Sequence, residues 1–117
     1  MFEQEWTRSL AKLQGFDIAD DDHGWLMLSG TFEYEDGGCQ GLGYGIDMEF
    51  IKGIMDVFGV DRLQKINGKS AWVTHKYDDV RLIEPLHKKD GEAFDLKKWS
   101  TEATKRCEAT APLRRKA

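Results

Sequence analysis

Cysteine, proline and long apolar runs are all scarce in this chain. Its 117 residues include two cysteines and two prolines, and no stretch approaches the roughly 18 consecutive apolar residues that a membrane helix needs. Cys39 and Cys107 lie far apart, and neither has a neighbour at metal-ligand spacing, so we expect neither a disulfide framework nor a zinc site. The first residues lack the basic start and apolar stretch of a secretory signal. These absences predict a cytoplasmic protein with free thiols and no membrane contact.

The residues that are present suffice for one domain with a modest core. The chain is 40% hydrophobic and 32% charged, and a domain of this length buries enough surface to fold without covalent or metal staples. The net charge of −4 hides an asymmetry: residues 1–96 carry ten Lys and Arg against nineteen Asp and Glu, whereas residues 97–117 carry seven against two. The acidic body argues against direct nucleic-acid binding, although the basic end could contact phosphates or the acidic body itself.

Alternating apolar and polar side chains predict the strands in the middle of the chain. Over residues 25–35 the apolar side chains share one parity, which is the pattern of a half-buried strand. Gly30 lies on that apolar face and indicates a bulge or a close crossing. Residues 70–77 and 80–86 are rich in β-branched and aromatic side chains, and we expect them to form a hairpin across Asp78-Asp79.

Capping residues predict the helices. Asp47 is expected to cap a helix that ends at Gly59 in the left-handed conformation. The predicted inward stripe of this helix consists of Ile51, Ile54, Met55 and Phe58. Asp61 and Gln64 match the spacing of a capping box, which predicts one further helical turn before Asn67-Gly68 reverses the chain. Asp95 is expected to cap a last helix that contains Leu96, Trp99 and Ala103.

The N-terminal segment is the part that its pattern leaves open. Residues 3–13 fit a helix, residues 12–19 fit a strand, and residues 20–24 predict a turn. The order of the other elements predicts an α+β fold, with a small antiparallel sheet of about four to five strands packed against one central helix. A C-terminal helix follows. We predict a single domain over residues 1–109 and a flexible basic tail over residues 110–117.

Glycine is concentrated in one segment, where residues 37–45 hold five glycines in nine positions. Three interpretations remain open. The glycine amides could cradle a phosphate at the start of the following helix, which would require a cation from Arg62, Lys65 or Lys69. The glycines could permit a tight bulged crossover between a strand and that helix. The segment could instead be a loop that binds another protein.

Other combinations of reactive side chains are weaker. Asp20, Asp21, Asp22 and His23 could gather a divalent cation, but consecutive carboxylates in a turn point in different directions. Cys39 with His23 is the one imaginable nucleophile and base pair. Glu33 and Glu35 form an outward carboxylate pair, which is typical of a solvated strand face. We therefore assign no catalytic residue, no metal site and no cofactor.

A family resemblance covers residues 13–86. It is carried by Asp22-His23-Gly24, by residues 35–44, by residues 50–61, by Asn67-Gly68-Lys69, and by Trp72, Val73 and Ile83. In these residues the chain resembles a group of small uncharacterised proteins of tailed bacteriophages and prophages, which share a run of the form Gly-Gly-x-Gln-Gly-aromatic-Gly. Leu42 stands where an aromatic is commoner, and residues 84–87 replace a Gly-His pair. The resemblance implies a phage or prophage origin.

These observations lead to one expected function and one alternative. We expect a non-enzymatic phage accessory protein that binds a host or defence protein, as an inhibitor would, through the glycine-rich segment and the adjacent acidic strand face. A homo-oligomer remains open. The alternative is a small nucleotide- or phosphometabolite-binding protein that uses the glycine-rich loop, and an enzyme is the least favoured reading. The residues assigned to binding are Asp22, His23, Glu33, Glu35, Gly37, Gly38, Gln40, Gly41, Gly43 and Tyr44.

Overall fold

The chain folds as an antiparallel sheet and two helices. The structure is a computed structural model, which describes residues 5–20, 26–77 and 79–115, with side chains as far as residue 105. The elements in chain order are β1 (Thr7–Asp20), β2 (Leu26–Tyr34), β3 (Cys39–Gly45), α1 (Met48–Phe58), β4 (Ser70–Lys76), β5 (Asp79–Glu84), β6 (Phe94–Asp95) and α2 (Leu96–Arg115). The predicted α+β class is confirmed. The sheet of the described residues has six strands rather than four to five.

The sheet has the strand order β3-β2-β1-β4-β5-β6, and each neighbouring pair is antiparallel. β1 therefore lies at the centre, with the meander β1-β2-β3 on one side and the predicted hairpin β4-β5 on the other. The strand predicted for residues 12–19 is confirmed, and β1 extends it back to Thr7, so the helical alternative is wrong over residues 7–13. The predicted turn at residues 20–24 lies largely outside the described residues.

A bulge bends β1 in its middle. The register with β2 shifts between Gln14 and Asp17, and Gly15 has a φ of 67°, a left-handed conformation that favours glycine. Asn67 fastens the bend, because its Oδ1 accepts from the Phe16 N–H (2.7 Å) and its Nδ2 donates to the Phe16 carbonyl (3.1 Å). The bulge turns the Phe16 ring inward beneath Gly30, where any Cβ would overlap that ring. The predicted close crossing at Gly30 is thus confirmed.

The concave side of the sheet, called the inner face below, holds α1. Asp47 Oδ1 accepts from the Phe50 N–H (2.9 Å), and Gly59 ends the helix with a φ of 62°, so both predicted caps are confirmed. The predicted inward stripe is confirmed at Ile54, whereas Ile51 and Phe58 pack only at the margin of the core. The fully buried side chains are Phe50, Ile54 and Val57, whereas Ile51, Met55 and Phe58 are half-buried. The phase differs because β6 and α2 cover the side of α1 that carries Phe50.

The connection after α1 differs from its predicted capping. Residues Leu63–Ile66 form a short 3₁₀ helix, and no side chain caps it. Asp61 Oδ1 accepts instead from Lys65 Nζ at 2.6 Å, so the predicted capping box is wrong. The flexible lysine side chain reaches the carboxylate and takes the place of the predicted backbone donor. The predicted reversal at Asn67-Gly68 is confirmed, since Gly68 has a φ of 84° and its N–H donates to the Leu13 carbonyl.

α2 begins as predicted, with Asp95 Oδ1 accepting from the Lys98 N–H at 3.0 Å. Its first turns pack Leu96 and Trp99 over the aromatic end of the core, where the Trp99 ring lies 4.7 Å from Phe50 and 5.1 Å from Tyr44. The helix continues to Arg115, and the predicted domain end at residue 109 with a flexible tail stays a prediction. Within the described residues, neither helix combines the length and apolarity of a membrane span.

Phe50→Ala should destabilise the fold more than Phe58→Ala does. Phe50 is fully buried and touches the rings of Tyr44, Phe94 and Trp99, so its removal should cost about 3–5 kcal/mol. Phe58 is half-buried, so Phe58→Ala should lower the free energy of unfolding by less than Phe50→Ala does. Urea denaturation of both variants gives the two free energies, and equal losses would contradict the observed phase of α1.

Candidate functional site

The glycine-rich segment begins as a tight hairpin turn between β2 and β3. The Tyr34 N–H donates to the Gly38 carbonyl (2.8 Å), and the Gly37 N–H donates back to the Tyr34 carbonyl (3.0 Å). Gly37 has a φ of 96°, so this position requires glycine. Asp36 Oδ1 accepts from the Gly38 N–H (2.8 Å). Both glycine amides of the turn therefore donate within the turn, and neither is free to bind a phosphate.

The rest of the segment is an edge strand and not a loop. β3 pairs with β2 from Cys39 to Gly45, and no strand of the described residues lies on its other side. Gln40, Leu42 and Tyr44 face inward, whereas Cys39, Gly41, Gly43 and Gly45 are exposed on the convex outer face. The expectation of a bulged crossover into α1 is wrong, because the chain pairs regularly with β2 as far as Gly45 before α1 begins.

Three of the five glycines are not required by the fold. Gly41, Gly43 and Gly45 all lack a positive φ. A Cβ built on Gly41 or Gly45 meets no atom within 4 Å, and one built on Gly43 meets its nearest atom at 3.9 Å, an ordinary contact. Glycine in a strand lowers stability because it has no side chain to pack. Neither backbone conformation nor packing in the described residues explains why glycine occupies these three positions.

The backbone of β3 leaves hydrogen-bonding groups at the free edge. Antiparallel strands alternate between pairs that exchange backbone hydrogen bonds and pairs that do not. Tyr34 is bonded to Gly38, so the bonded positions that follow on β3 are Gln40, Leu42 and Tyr44. The N–H and C=O groups of Cys39, Gly41 and Gly43 consequently point away from β2, toward the free edge.

Gln40 bridges two strands that are far apart in the sheet order. The Tyr34 hydroxyl donates to Gln40 Oε1 (2.6 Å), and Gln40 Nε2 donates to the Lys76 carbonyl (3.1 Å). This contact joins β3 to the end of β4, which shows that the sheet curls until its two halves approach each other. Burial, with a smaller contribution from the charge of Asp36, raises the pKa of Tyr34 above its ordinary value, so the hydroxyl remains a donor.

His75 completes the polar cluster around Tyr34. Its ring stacks on the Tyr34 ring with centroids 3.9 Å apart and planes 12° from parallel, and its Nε2 lies 3.0 Å from Ser9 Oγ. Burial lowers the pKa of His75, while the nearby carboxylate of Asp36 opposes that shift. A serine and histidine pair hydrolyses substrates when a carboxylate orients the second ring nitrogen. No described carboxylate bonds to that nitrogen, so the described residues do not complete such a triad.

Three neighbouring cavities, which share lining residues, follow the free edge of β3. The first, the mouth pocket, has a volume of about 420 Å³ and is lined by Glu5, Thr7, Tyr34, Asp36, Gly38, Cys39, Gln40, His75, Lys76 and Tyr77. The second, the edge groove, has about 210 Å³ and lies between residues 40–44 and Asp79 with Val80. The third, the helix-end pocket, has about 250 Å³ and is lined by Trp6, Tyr44, Asp79, Val80, Arg81, Leu96, Lys97, Ser100 and Thr101.

The structure brings part of the predicted binding set together. Gly37, Gly38, Gln40, Gly41 and Gly43 lie along the turn and the free edge, and Glu33 and Glu35 are exposed beside them. Tyr44 is half-buried and packs 5.0 Å from Phe50, and it lines both the edge groove and the helix-end pocket. Burial, and then the charge of Asp79, raise its pKa. Asp22 and His23 lie outside the described residues.

Some features of the site could not be found in the sequence. Tyr34, His75, Ser9 and Lys76 come together only because the sheet curls, and the sole local signal was the inward parity of Tyr34. The cations named for a phosphate site lie elsewhere. Lys65 is paired with Asp61, and Lys69 lies on the β4 side of β1, where its carbonyl accepts from Leu13. Among the described residues, no cluster of His, Cys, Asp or Glu is arranged to hold a metal ion.

Comparison of the chain with protein-family models, with curated proteins and with solved structures finds no match.

Gln40→Ala should lower the free energy of unfolding by about 1–3 kcal/mol, because it leaves the nearly buried Tyr34 hydroxyl and the Lys76 carbonyl without their partner. Gly41→Ala is the matched variant at the next residue. It should raise stability by about 0.4–1 kcal/mol, since the backbone tolerates alanine there. Thermal and urea unfolding measure both, and a neutral Gln40→Ala would show that the bridge contributes nothing to the fold.

Stability should fall as the pH drops below 6.5, the ordinary pKa of histidine. The pKa of His75 is lower in the folded state than in the unfolded chain. Below pH 6.5 the unfolded chain therefore binds a proton that the folded state does not, which stabilises the unfolded state and lowers the free energy of unfolding. This loss is complete once the pH reaches the folded pKa. His75→Gln should flatten the melting temperature between pH 7.5 and 5.5, whereas the exposed His87→Gln should keep the wild-type slope. Identical slopes in all three proteins would contradict this assignment.

Proposed function

We propose that this chain is a non-enzymatic accessory protein of a phage or prophage that binds a host or defence protein, and so inhibits it, through β3 and the acidic turn before it. The observation that carries the proposal is the row of glycines at 41, 43 and 45. Glycine at these positions weakens the strand and relieves no strain or crowding in the described chain. Bare backbone at an exposed strand suits the close approach of another molecule.

The charge around the turn supports a protein partner with a basic surface. Glu33, Glu35 and Asp36 are exposed together at the turn end of β2, and residues 1–96 as a whole carry far more acidic than basic side chains. Fields of one sign speed association with partners of the other sign. Host proteins that handle nucleic acid present such basic surfaces, which fits an inhibitory role.

The phage origin rests on the resemblance in residues 13–86, and in particular on the run of residues 37–44. In the structure this run is a turn that uses Gly37 and Gly38, a buried bridge at Gln40, and an open strand edge. One short motif therefore combines residues that shape the turn with residues that leave the edge bare. Such a combination supports a shared binding role better than a shared structural role.

Gly43→Leu tests the proposal directly. The leucine side chain projects from the outer face into solvent, so folding should be unaffected, whereas a partner that approaches the bare backbone should be blocked. The tagged chain is used to capture proteins from a host lysate, and the affinity for the captured protein is then measured for wild type and variant. We expect affinity to fall about tenfold or more, while the melting temperature stays the same or rises.

Gln64→Leu is the matched control, because Gln64 is exposed on the 3₁₀ helix and away from β3. It should bind as the wild type does. Equal binding by Gly43→Leu and wild type, with both folded, would remove β3 from the binding surface and overturn the proposal.

A further inference from the structure

The free edge of β3 faces a second unpaired strand edge across the edge groove. β6 pairs only with Leu82 and Ile83 of β5, so Asp79, Val80 and Arg81 have no strand on that side among the described residues. The groove therefore has backbone groups of β3 on one wall and the start of β5 on the other. β3 and β5 run in the same direction, because each is separated from β1 by one antiparallel strand.

A space remains between the two edges, and residues of both line it. At the mouth end the Gln40 side chain crosses to the Lys76 carbonyl, and a strand placed between two edges needs roughly 10 Å, twice the spacing of neighbouring strands. The floor between the two edges is apolar, since Leu42 and Val80 are 8% and 6% exposed. An extended segment can enter such a slot, whereas the intact edge of a second copy would meet β5 and α2.

The two ends of the groove carry opposite charge. The mouth pocket, at the start of β3, holds Glu5 and Asp36 with Lys76 and the exposed Tyr77 ring, so its carboxylates outnumber its lysine. The helix-end pocket, at the far end of β3, holds Arg81 and Lys97 with Asp79, so its cations outnumber its carboxylate. In the described part of the chain the ion pairs join Arg8 with Glu84, Lys52 with Asp56, and Lys65 with Asp61. The two ends of the groove therefore differ in the sign of their net charge, although Asp36 also accepts from the Gly38 N–H and Arg81 lies over the Trp6 ring.

Resting on the proposed function, we infer that the partner contributes an extended segment that lies in the edge groove as a seventh strand, antiparallel to both β3 and β5. Its backbone bonds to Gly41 and Gly43, and it places a Lys or Arg side chain in the mouth pocket between Asp36 and Glu5. Antiparallel pairing directs the C-terminal part of the segment to the mouth pocket. Its N-terminal part, near Arg81 and Lys97, carries acidic side chains.

The segment also has a preferred side-chain pattern. Inward side chains lie between Leu42 and Val80 and are apolar. A residue opposite Gly43 projects onto the outer face beside bare backbone, where a large ring can cover the glycine. The occupant is thus an extended segment in which apolar side chains alternate at the centre, with acidic residues on its N-terminal side and basic residues on its C-terminal side. A helix or a folded surface does not have this pattern.

The probe for this inference is a library of random twelve-residue peptides displayed for selection against the full chain. Selected peptides should carry acidic residues before an apolar, alternating centre and Lys or Arg after it. On binding of a selected peptide, the amides of Gly41 and Gly43 should become protected from hydrogen exchange, which contact through side chains alone would not cause.

Three variants locate the contact. Gly41→Pro removes an N–H that points to the free edge and does not pair with β2, so the sheet should survive while peptide affinity falls about tenfold or more. Gly41→Ala retains that N–H and should bind. Asp36→Asn keeps the hydrogen bond from the Gly38 N–H and removes the negative charge. It should lower the affinity for peptides that end in Lys or Arg more than the affinity for peptides that have Gln at that position.

The outcomes separate this inference from the proposed function. If no peptide is selected, or if selected peptides bind Gly41→Pro as they bind wild type, the added strand is wrong, even where Gly43→Leu still loses the host protein. If the chain dimerises and Gly41→Pro abolishes the dimer, the edge belongs to a second copy and the inference is overturned. If peptides bind as expected while Gly43→Leu captures the host protein normally, the proposed function fails alone.

Discussion

The bend of β1 at Gly15 and Phe16, fastened by Asn67, is the constraint on which the rest of the fold depends. Asn67 supplies one acceptor and one donor to Phe16 at the point where the strand ladder is interrupted, so the bulge leaves neither group unpaired. The bent central strand makes the sheet concave. A concave sheet can enclose Phe50, Ile54 and Val57 of α1 and can bring β3 within reach of β4.

The curled sheet is closed more tightly at one end than at the other, and the candidate site lies at the more open end. At the end near α2, the rings of Tyr44, Phe50 and Trp99 fill the space between the two halves. At the other end the halves are joined by the carboxamide of Gln40 and by the stack of the Tyr34 ring on the His75 ring. Apolar packing fixes the first end, whereas the second retains polar groups, unpaired strand edges and open volume. The end of the sheet near Gln40, beyond the apolar core, therefore offers groups that a partner can bind.

Local chemistry in the sequence predicted the caps of α1, the β4-β5 hairpin and the close crossing at Gly30, because each depends on residues near one another or on a simple parity. The phase of α1 could not be predicted, since it depends on Phe94 and Trp99, which cover Phe50 from distant segments. Glycine composition marked residues 37–45 as unusual. It could not distinguish a loop from a strand, because glycine has no side chain and so gives no apolar alternation. That the free edge of β3 faces β5 depends on the curl of the sheet, which the sequence of this segment does not show.

The central position of β1 has a consequence for how the chain acquires its fold. The meander β1-β2-β3 involves only neighbouring segments, whereas β1 meets β4 across more than fifty residues, including α1. Such a distant pairing slows folding relative to local contacts. During synthesis the meander leaves the ribosome first, with β1 unpaired on one side until residues 70–76 emerge. For that interval the nascent chain exposes the long edge of its own central strand, which is the stage at which it is most prone to aggregate.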